Sequence, residues 1–326
     1  MEIRDKKAQA AASMYYEQGL TMAAVARRLG VSRSSVSRML AHARDRGIVT
    51  IRVSSPPEES GSLAAEFKRL FDVNVVIVHA LEVDSPATRL HSVAAVAAAR
   101  LTELMEPGMT LGVAWGNTTT AVASHLTPAP KAGSVVVQLN GAANALDMGT
   151  LYADSIISAY ARAFNSSAIH FPVPAFFDYP ETKVYLKRER SVRRVLDAIA
   201  SCDIALFGVG AMDPAMPSHV YAGDFLDPWE WGEAWKDGVV GDVCTVLLRE
   251  DGSTDMELNA RASGPNPEDL KRIPRRIAVV AGPGKAAPLI GALRAGVITD
   301  LVIDSTTALV TLKRLADPDS APPAHF

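Results

Sequence analysis

Four stretches of this 326-residue sequence combine residue types that bind anions or hydroxyl groups. In GVAWGNTTTAV, Gly116, Asn117, Thr118 and Thr119 follow an apolar run and open a helical one. Glycine permits close approach, threonine hydroxyls donate, and the free N–H groups of a helix N-terminus attract phosphate. An ordinary strand-to-helix turn with a threonine cap would use the same residues. In AVVAGPGKAAPLIGAL, Gly282-Pro283-Gly284 follows another apolar run and Lys285 opens a helix, which would set a cation beside an anion. The spacing is not that of a Walker A loop, which has four residues between its glycines and Ser or Thr after the lysine. VVVQLNGA offers Gln138 and Asn140, neutral amides suited to sugar hydroxyls. The fourth stretch, Thr21 to Arg46, gathers Arg27, Arg28, Ser32, Arg33, Ser34, Ser35, Ser37 and Arg38. All of these side chains donate to phosphates, and Arg33 and Arg38 can also reach guanine edges.

The elements that must position this last group are two short helices and a tight turn. Val25, Leu29, Val36 and Met39 recur at helical spacing and face a common core. Ala26 sits where only a small side chain lets two helices cross, Gly30 falls where the turn needs positive φ, and Ser32 can N-cap the second helix. This is the pattern of a helix-turn-helix, whose second helix enters the DNA major groove. A supporting helix is expected over Asp5 to Gln18, with Ala8, Ala11, Ala12 and Tyr15 inward. Gly47 ends the recognition helix, and Ile48 to Val53 alternates as a strand, expected to form a wing whose Arg52 touches the DNA backbone.

Charge is distributed to match. The chain carries −3 overall, but residues 1–55 carry +6 and the remainder −9. A basic head on an acidic body is what a DNA-reading module fused to another function should show. The polar stretch SSPPEESGS places a boundary, giving a DNA-binding domain over 1–55, a linker over 56–62 and a second domain over 63–326. Met1 to Lys7 is charged with no apolar segment behind it, and Val93 to Leu104 is too short and too charged to cross a bilayer. Cys202 and Cys244, far apart in apolar surroundings, are expected to be reduced packing residues. These features point to a cytoplasmic protein without a membrane partner. The sequence holds no Cys/His cluster at metal-ligand spacing.

From Leu63 onward the chain alternates helix and strand. Helices are expected over Leu63 to Phe71 and Ala87 to Met105. Strands are expected at Val75 to Val78, Thr110 to Ala114, Val135 to Leu139, Ile204 to Gly208, Cys244 to Leu248, Ile277 to Val280 and Leu301 to Ile303. Near-continuous apolar strands between helices indicate an α/β fold with a parallel sheet covered on both faces. In such sheets ligands bind beyond the carboxyl ends of the strands, where the three glycine and amide stretches fall.

The opening YYEQGLTMAAVARRLGVSRSSVSRMLAHARDRGIVTIRV resembles the start of the SorC family of sugar-binding transcriptional regulators. GVAWGNTT, VVQLNGA, DIALFGVGA, VVGDV and the closing VAGPGKAAPLIGALRAGVITDLVIDSTTA resemble that family's effector domain, in order. The resemblance implies a winged helix-turn-helix, a Rossmann-like effector domain related to sugar-phosphate isomerases, and a homotetramer. It implies operator DNA as one partner and a phosphorylated sugar or polyol as effector, with no resident cofactor or metal. By position it makes Gly116, Thr118, Thr119 and Lys285 phosphate contacts, with Asn117 and Gly282 in the same turns. Gln138, Asn140 and Asp242 fall on the hydroxyl side. Gly208 and Gly210 would let the chain pass close to the ligand, or simply pack. The family often has Gln and Glu where this chain has Met22 and Ala24, and some members carry a charged residue in the LNG segment. Asn140 cannot form a Schiff base, so effector binding is expected to be non-covalent. The resulting expectation is a transcriptional regulator of a carbohydrate or polyol operon, not an enzyme. The alternative is a sugar-phosphate isomerase or deaminase carrying a DNA-binding module. Its acid–base candidates, Asp147, Asp154, His170, Asp178, His219 and Asp224, form no recognisable pair.

Overall fold

The structure is a computed structural model that describes residues 3–49, 57–81, 83–143, 148–212, 218–222 and 225–317. The chain divides into two compact units, Met1–Ser54 and Ser55–Phe326.

The first unit contains α1 (Ile3–Ala12), a π-helical turn (Ser13–Glu17), α2 (Met22–Leu29) and α3 (Arg33–Asp45). Its core is built from small and branched residues at helical spacing: Ala8, Ala11, Ala12, Val25, Ala26, Val36, Leu40 and Ala43. Leu29 and Met39 pack against this core without being fully buried. Gly30 takes φ +64° at the end of α2, a left-handed conformation that glycine adopts at little cost. Thr21 and Ser32 N-cap α2 and α3, accepting from the Ala24 and Ser35 N–H groups at 3.3 and 3.1 Å. His42 pairs with buried Asp5 at 2.9 Å, tying α3 to α1. That hydrogen bond holds the Asp5 carboxyl below its ordinary range. Gly47, at φ +67°, turns the chain after α3. Ile48 and Val49 are bend residues packed on the core; the rest of the expected wing strand, Arg52 included, lies outside the described residues.

The second unit runs α4 (Pro57–Phe71), β1 (Asn74–Val78), α5 (Pro86–Leu104), β2 (Thr110–Val113), α6 (Asn117–His125), β3 (Val135–Gln138), α7 (Met148–Phe164) and β4 (Ser167–Ile169). It continues through α8 (Pro180–Leu186), α9 (Arg190–Ala200), β5 (Ile204–Gly208), β6 (Gly210–Ala211), α10 (His219–Ala222), α11 (Pro228–Lys236), β7 (Val239–Val243) and β8 (Val246–Arg249). The last elements are α12 (Pro267–Lys271), β9 (Arg275–Val280), α13 (Ala286–Arg294), β10 (Asp300–Asp304) and α14 (Ser305–Ala316). Residues 57–62, expected as part of the linker, are instead the opening turns of α4. Pro57 stands at the first helical position, where its missing N–H is no loss.

Seven strands form one parallel sheet in the order β1-β10-β9-β5-β2-β3-β4. Period-two alternation sends Ile277 and Val279 of β9 into one buried cluster and Ala278 and Val280 into the other. Both faces are therefore dry, which is why the strands read as unbroken apolar runs. The expected strand Cys244 to Leu248 is not in this sheet. It divides into a turn and β8, the last strand of a small antiparallel sheet ordered β6-β7-β8.

Cys244 and Thr245 form the two-residue turn between β7 and β8, both with positive φ, +52° and +70°. Two left-handed residues in succession define a type I′ hairpin, normally Asn-Gly. A β-branched threonine there is strained by about 1–3 kcal/mol. The surroundings hold it: Thr245 N–H donates to Asp242 Oδ2 at 3.0 Å, and Gly264 N–H donates to the Thr245 hydroxyl at 3.3 Å.

Candidate functional site

In the first unit, Arg27, Arg28, Ser32, Arg33, Ser34, Ser37 and Arg38 are all exposed, on α2, the turn and the start of α3. Ser35 is the exception. It is half-buried, its N–H is capped by Ser32, and its hydroxyl lies 2.9 Å from that of Ser32. Ser35 therefore shapes the helix start more than it presents a donor outward. The exposed arginines and hydroxyls give the second helix of the pair the chemistry of a groove-reading element.

In the second unit a cavity of about 530 Å³ opens at the carboxyl ends of β2, β3, β5 and β9. Gly116, Asn117, Thr118, Thr119, Asn140, Asp242 and Lys285 line it. Strand β2 delivers the first four. Gly116 N-caps α6 at φ +152°, and no atom stands within 4 Å of where a Cβ would be. No side chain caps α6; the Thr119 and Thr120 hydroxyls instead donate back to the Gly116 carbonyl, at 3.0 and 2.9 Å. The threonine-cap alternative is thereby excluded, and the leading N–H groups of α6 face the cavity without an acceptor among the described residues. The N-terminus of α5 meets the same cavity through Ser85, Pro86 and Ala87. That contribution went unread, although a serine cap followed by proline was visible as Ser85-Pro86.

Lys285 closes a 3-10 turn (Pro283–Lys285) immediately before α13. Among the described residues it forms no ion pair within 4 Å. Burial presses its pKa down to about 8, against the attraction of Asp242. Asp242 Oδ2 accepts the Thr245 N–H, whereas buried Oδ1 makes no well-formed hydrogen bond among the described residues, with the equally buried Tyr221 hydroxyl as its polar neighbour. Burial pushes this carboxyl up to about 6, opposed by the Thr245 N–H, the Tyr221 hydroxyl and the Lys285 cation, in that order. Asn140 Oδ1 is a second buried acceptor with no partner among the described residues.

Two expected residues do not reach the cavity. Gln138 is 4 % exposed and spends both ends of its amide on backbone: Nε2 donates to Asn140 O at 2.7 Å, and Oε1 accepts from Phe171 N–H at 3.2 Å. It braces the loop that carries Asn140. The Gly282 N–H donates to Asp304 Oδ2 and Thr307 Oγ1, at 3.0 and 2.9 Å, and so anchors the turn that presents Lys285. Gly208 and Gly210 line the cavity, yet their small size serves packing. A Cβ on Gly210 would lie 1.8 Å from Asp242 Oδ1, and one on Gly208 would lie 3.1 Å from Thr118. Cys244, read as a packing residue, also lines the cavity, as a thiol whose ionisation is suppressed first by burial and then by Asp242. Of the acid–base candidates, Asp154 pairs with His170 at 3.2 Å away from the cavity, and Asp147 and Asp224 lie outside the described residues. No group of three or more metal-ligating side chains forms among the described residues.

Lys285 would set a pH window for a phosphorylated ligand bound in this cavity. A phosphate monoester is a dianion above pH ~6. Lys285 is a cation only below about 8. Above that pH binding must take up a proton, and affinity for a phosphorylated ligand is expected to fall up to about tenfold per pH unit. Calorimetric titration from pH 6.5 to 9.5 checks this; a flat profile would detach Lys285 from the anion.

A helix-turn-helix unit joined to an α/β unit with an anion- and hydroxyl-suited cavity is a ligand-responsive, DNA-binding transcriptional regulator. Comparison with known proteins agrees. Residues 55–313 match the Sugar-bind family of sugar-binding domains, and residues 6–57 match the MarR family. The chain belongs to the SorC family of sugar-binding transcriptional regulators. It is 30 % identical over 303 residues to the deoxyribonucleoside regulator of Bacillus subtilis, covering 91 % of this chain and 94 % of that one. A sugar-binding regulator domain from Arthrobacter aurescens superposes with TM-score 0.73 at 42 % identity, covering 79 % of this chain and 99 % of that one. The full-length sorbitol operon regulator of Klebsiella pneumoniae shares the fold at TM-score 0.70 and 23 % identity, over 95 % of this chain and all of that one. These relatives are regulators and not enzymes. No helix among the described residues is long and apolar enough to cross a membrane.

Proposed function

We propose that the effector is a phosphorylated sugar or polyol, bound reversibly and without a covalent bond, and that it alters the protein's affinity for the operator of a carbohydrate or polyol operon. One observation carries this reading. A single cavity joins an uncapped helix N-terminus and a lysine without an ion pair to two buried acceptor atoms, Asn140 Oδ1 and Asp242 Oδ1, that make no well-formed hydrogen bond among the described residues. The phosphate is assigned to Gly116, Asn117, Thr118, Thr119 and Lys285, and the hydroxyls to Asn140 and Asp242. The names of the relatives, which speak of deoxyribonucleosides and sorbitol, support a carbohydrate-derived ligand.

The reading places the protein in the cytoplasm as a homotetramer and calls for no resident cofactor or metal. Ligand that prefers one arrangement of the assembly shifts the spacing of the DNA-reading heads. Half-sites repeat every ~34 Å, so that spacing governs affinity. The test is a thermal-shift screen of phosphorylated sugars and polyols, each beside its unphosphorylated form. A phosphorylated effector at 100 times its Kd adds about 2.7 kcal/mol, which should raise Tm by roughly 5–10 °C. Equal stabilisation by the free sugar would remove the phosphate from the assignment.

A further inference from the structure

Apart from this cavity, α8, α9 and the turn joining them carry a cation cluster that the acidic second unit does not neutralise. Lys187, Arg188, Arg190, Arg193 and Arg194 are all exposed, and none forms an ion pair within 4 Å among the described residues. Helix α9 fixes the direction of the last three. Val192, Val195 and Ile199 are buried on its opposite face, so Arg190, Arg193 and Arg194, at i, i+3 and i+4, form one outward stripe. Exposed Tyr185 holds the Arg188 guanidinium 5.5 Å from its ring centroid, and exposed Tyr179 adds a hydroxyl nearby in sequence. Glu189 and Asp197 share these elements without pairing to them.

We propose that this face of the effector domain is a second, sequence-independent DNA-contacting surface that binds duplex phosphates. Four of its five cations are arginine, whose planar fork suits phosphate oxygens. The alternative occupant, the acidic surface of a second copy, is less well matched. Many of that unit's acids, among them Glu230, Asp237, Glu250, Asp255, Asp300 and Asp304, already pair within their own chain. Duplex DNA presents one unpaired charge per ~1.7 Å of axis and is already held by the same protein, so the added contact forms at high effective concentration.

The test needs no knowledge of the operator. Full-length protein and its R190A/R193A/R194A variant bind a fluorescent 60-bp mixed-sequence duplex while KCl is titrated between ~50 and ~200 mM. The slope of log affinity against log salt should become shallower by about 2–3, since each phosphate contact contributes about 0.9. Affinity should drop about tenfold or more, and the triple Lys variant should recover most of the slope. An unchanged slope overturns the proposal. So does sedimentation showing that the alanine variant changes self-association while its affinity for DNA stays the same, which would make the face a contact between copies.

Discussion

Lys285→Ala should raise the concentration of phosphorylated effector needed for half-saturation by roughly 30-fold or more. A buried charge that loses its partner costs about 2–5 kcal/mol in a complex. Lys285 is half-buried at the head of α13, desolvation lowers its pKa to about 8, and no carboxylate among the described residues stands inside ion-pair range. In the proposed reading its charge is met by the phosphate of the ligand. The same substitution should change the affinity of the unphosphorylated compound little, because the proposed hydroxyl contacts at Asn140 and Asp242 would remain. Calorimetry on both compounds separates the two effects. Equal losses for both would mean that Lys285 shapes the cavity and does not bind phosphate.

The second large effect is on stability. Asp304 is fully buried and accepts from four donors: Arg89 Nη1 at 3.0 Å, Gly282 N–H at 3.0 Å, and Thr307 through its N–H at 2.9 Å and its hydroxyl at 2.6 Å. Arg89, itself 6 % exposed, also donates to the Leu81 and Asp84 carbonyls. The pair thus ties the start of α5 to the turn carrying Lys285, and these are two walls of the cavity. Asp304→Ala should cost about 3–5 kcal/mol, since it leaves a buried guanidinium uncompensated. Tm should fall by roughly 10 °C. Pairing R89M with D304L removes both charges and should recover much of the loss; if the double variant is no better than D304A, the coupling assigned to the pair is wrong.

The sequence disclosed those parts of the molecule in which one residue type has one physical reason to be present. Gly30 and Ser32 gave the helix-turn-helix because a left-handed turn and an N-cap each favour very few side chains. The parallel strands were legible because a sheet buried on both faces leaves no polar alternation to confuse the pattern. The β7–β8 hairpin was hidden, since its turn is Cys244-Thr245 where the expected signal is Asn-Gly, and the strain is held by contacts distant in sequence. Gln138 shows a similar limit. Its type suits a hydroxyl ligand, but whether an amide faces a cavity or braces a loop depends on a backbone partner 33 residues away. The SSPPEESGS stretch looked like a linker by composition, yet proline at a helix start is no barrier to the helix that follows.

The sheet order also dictates when the cavity can come into being. Strand β1 has β10 as its neighbour in the sheet, and Asn74 pairs with Asp300. Arg89 waits for Asp304 across 215 residues. At translation rates of about 5–20 residues per second, that interval is roughly 10–40 s on the ribosome. Through that time β1 is an apolar strand without its partner, a natural client for a chaperone. The nascent regulator is also deaf to its effector until nearly the last strand has emerged.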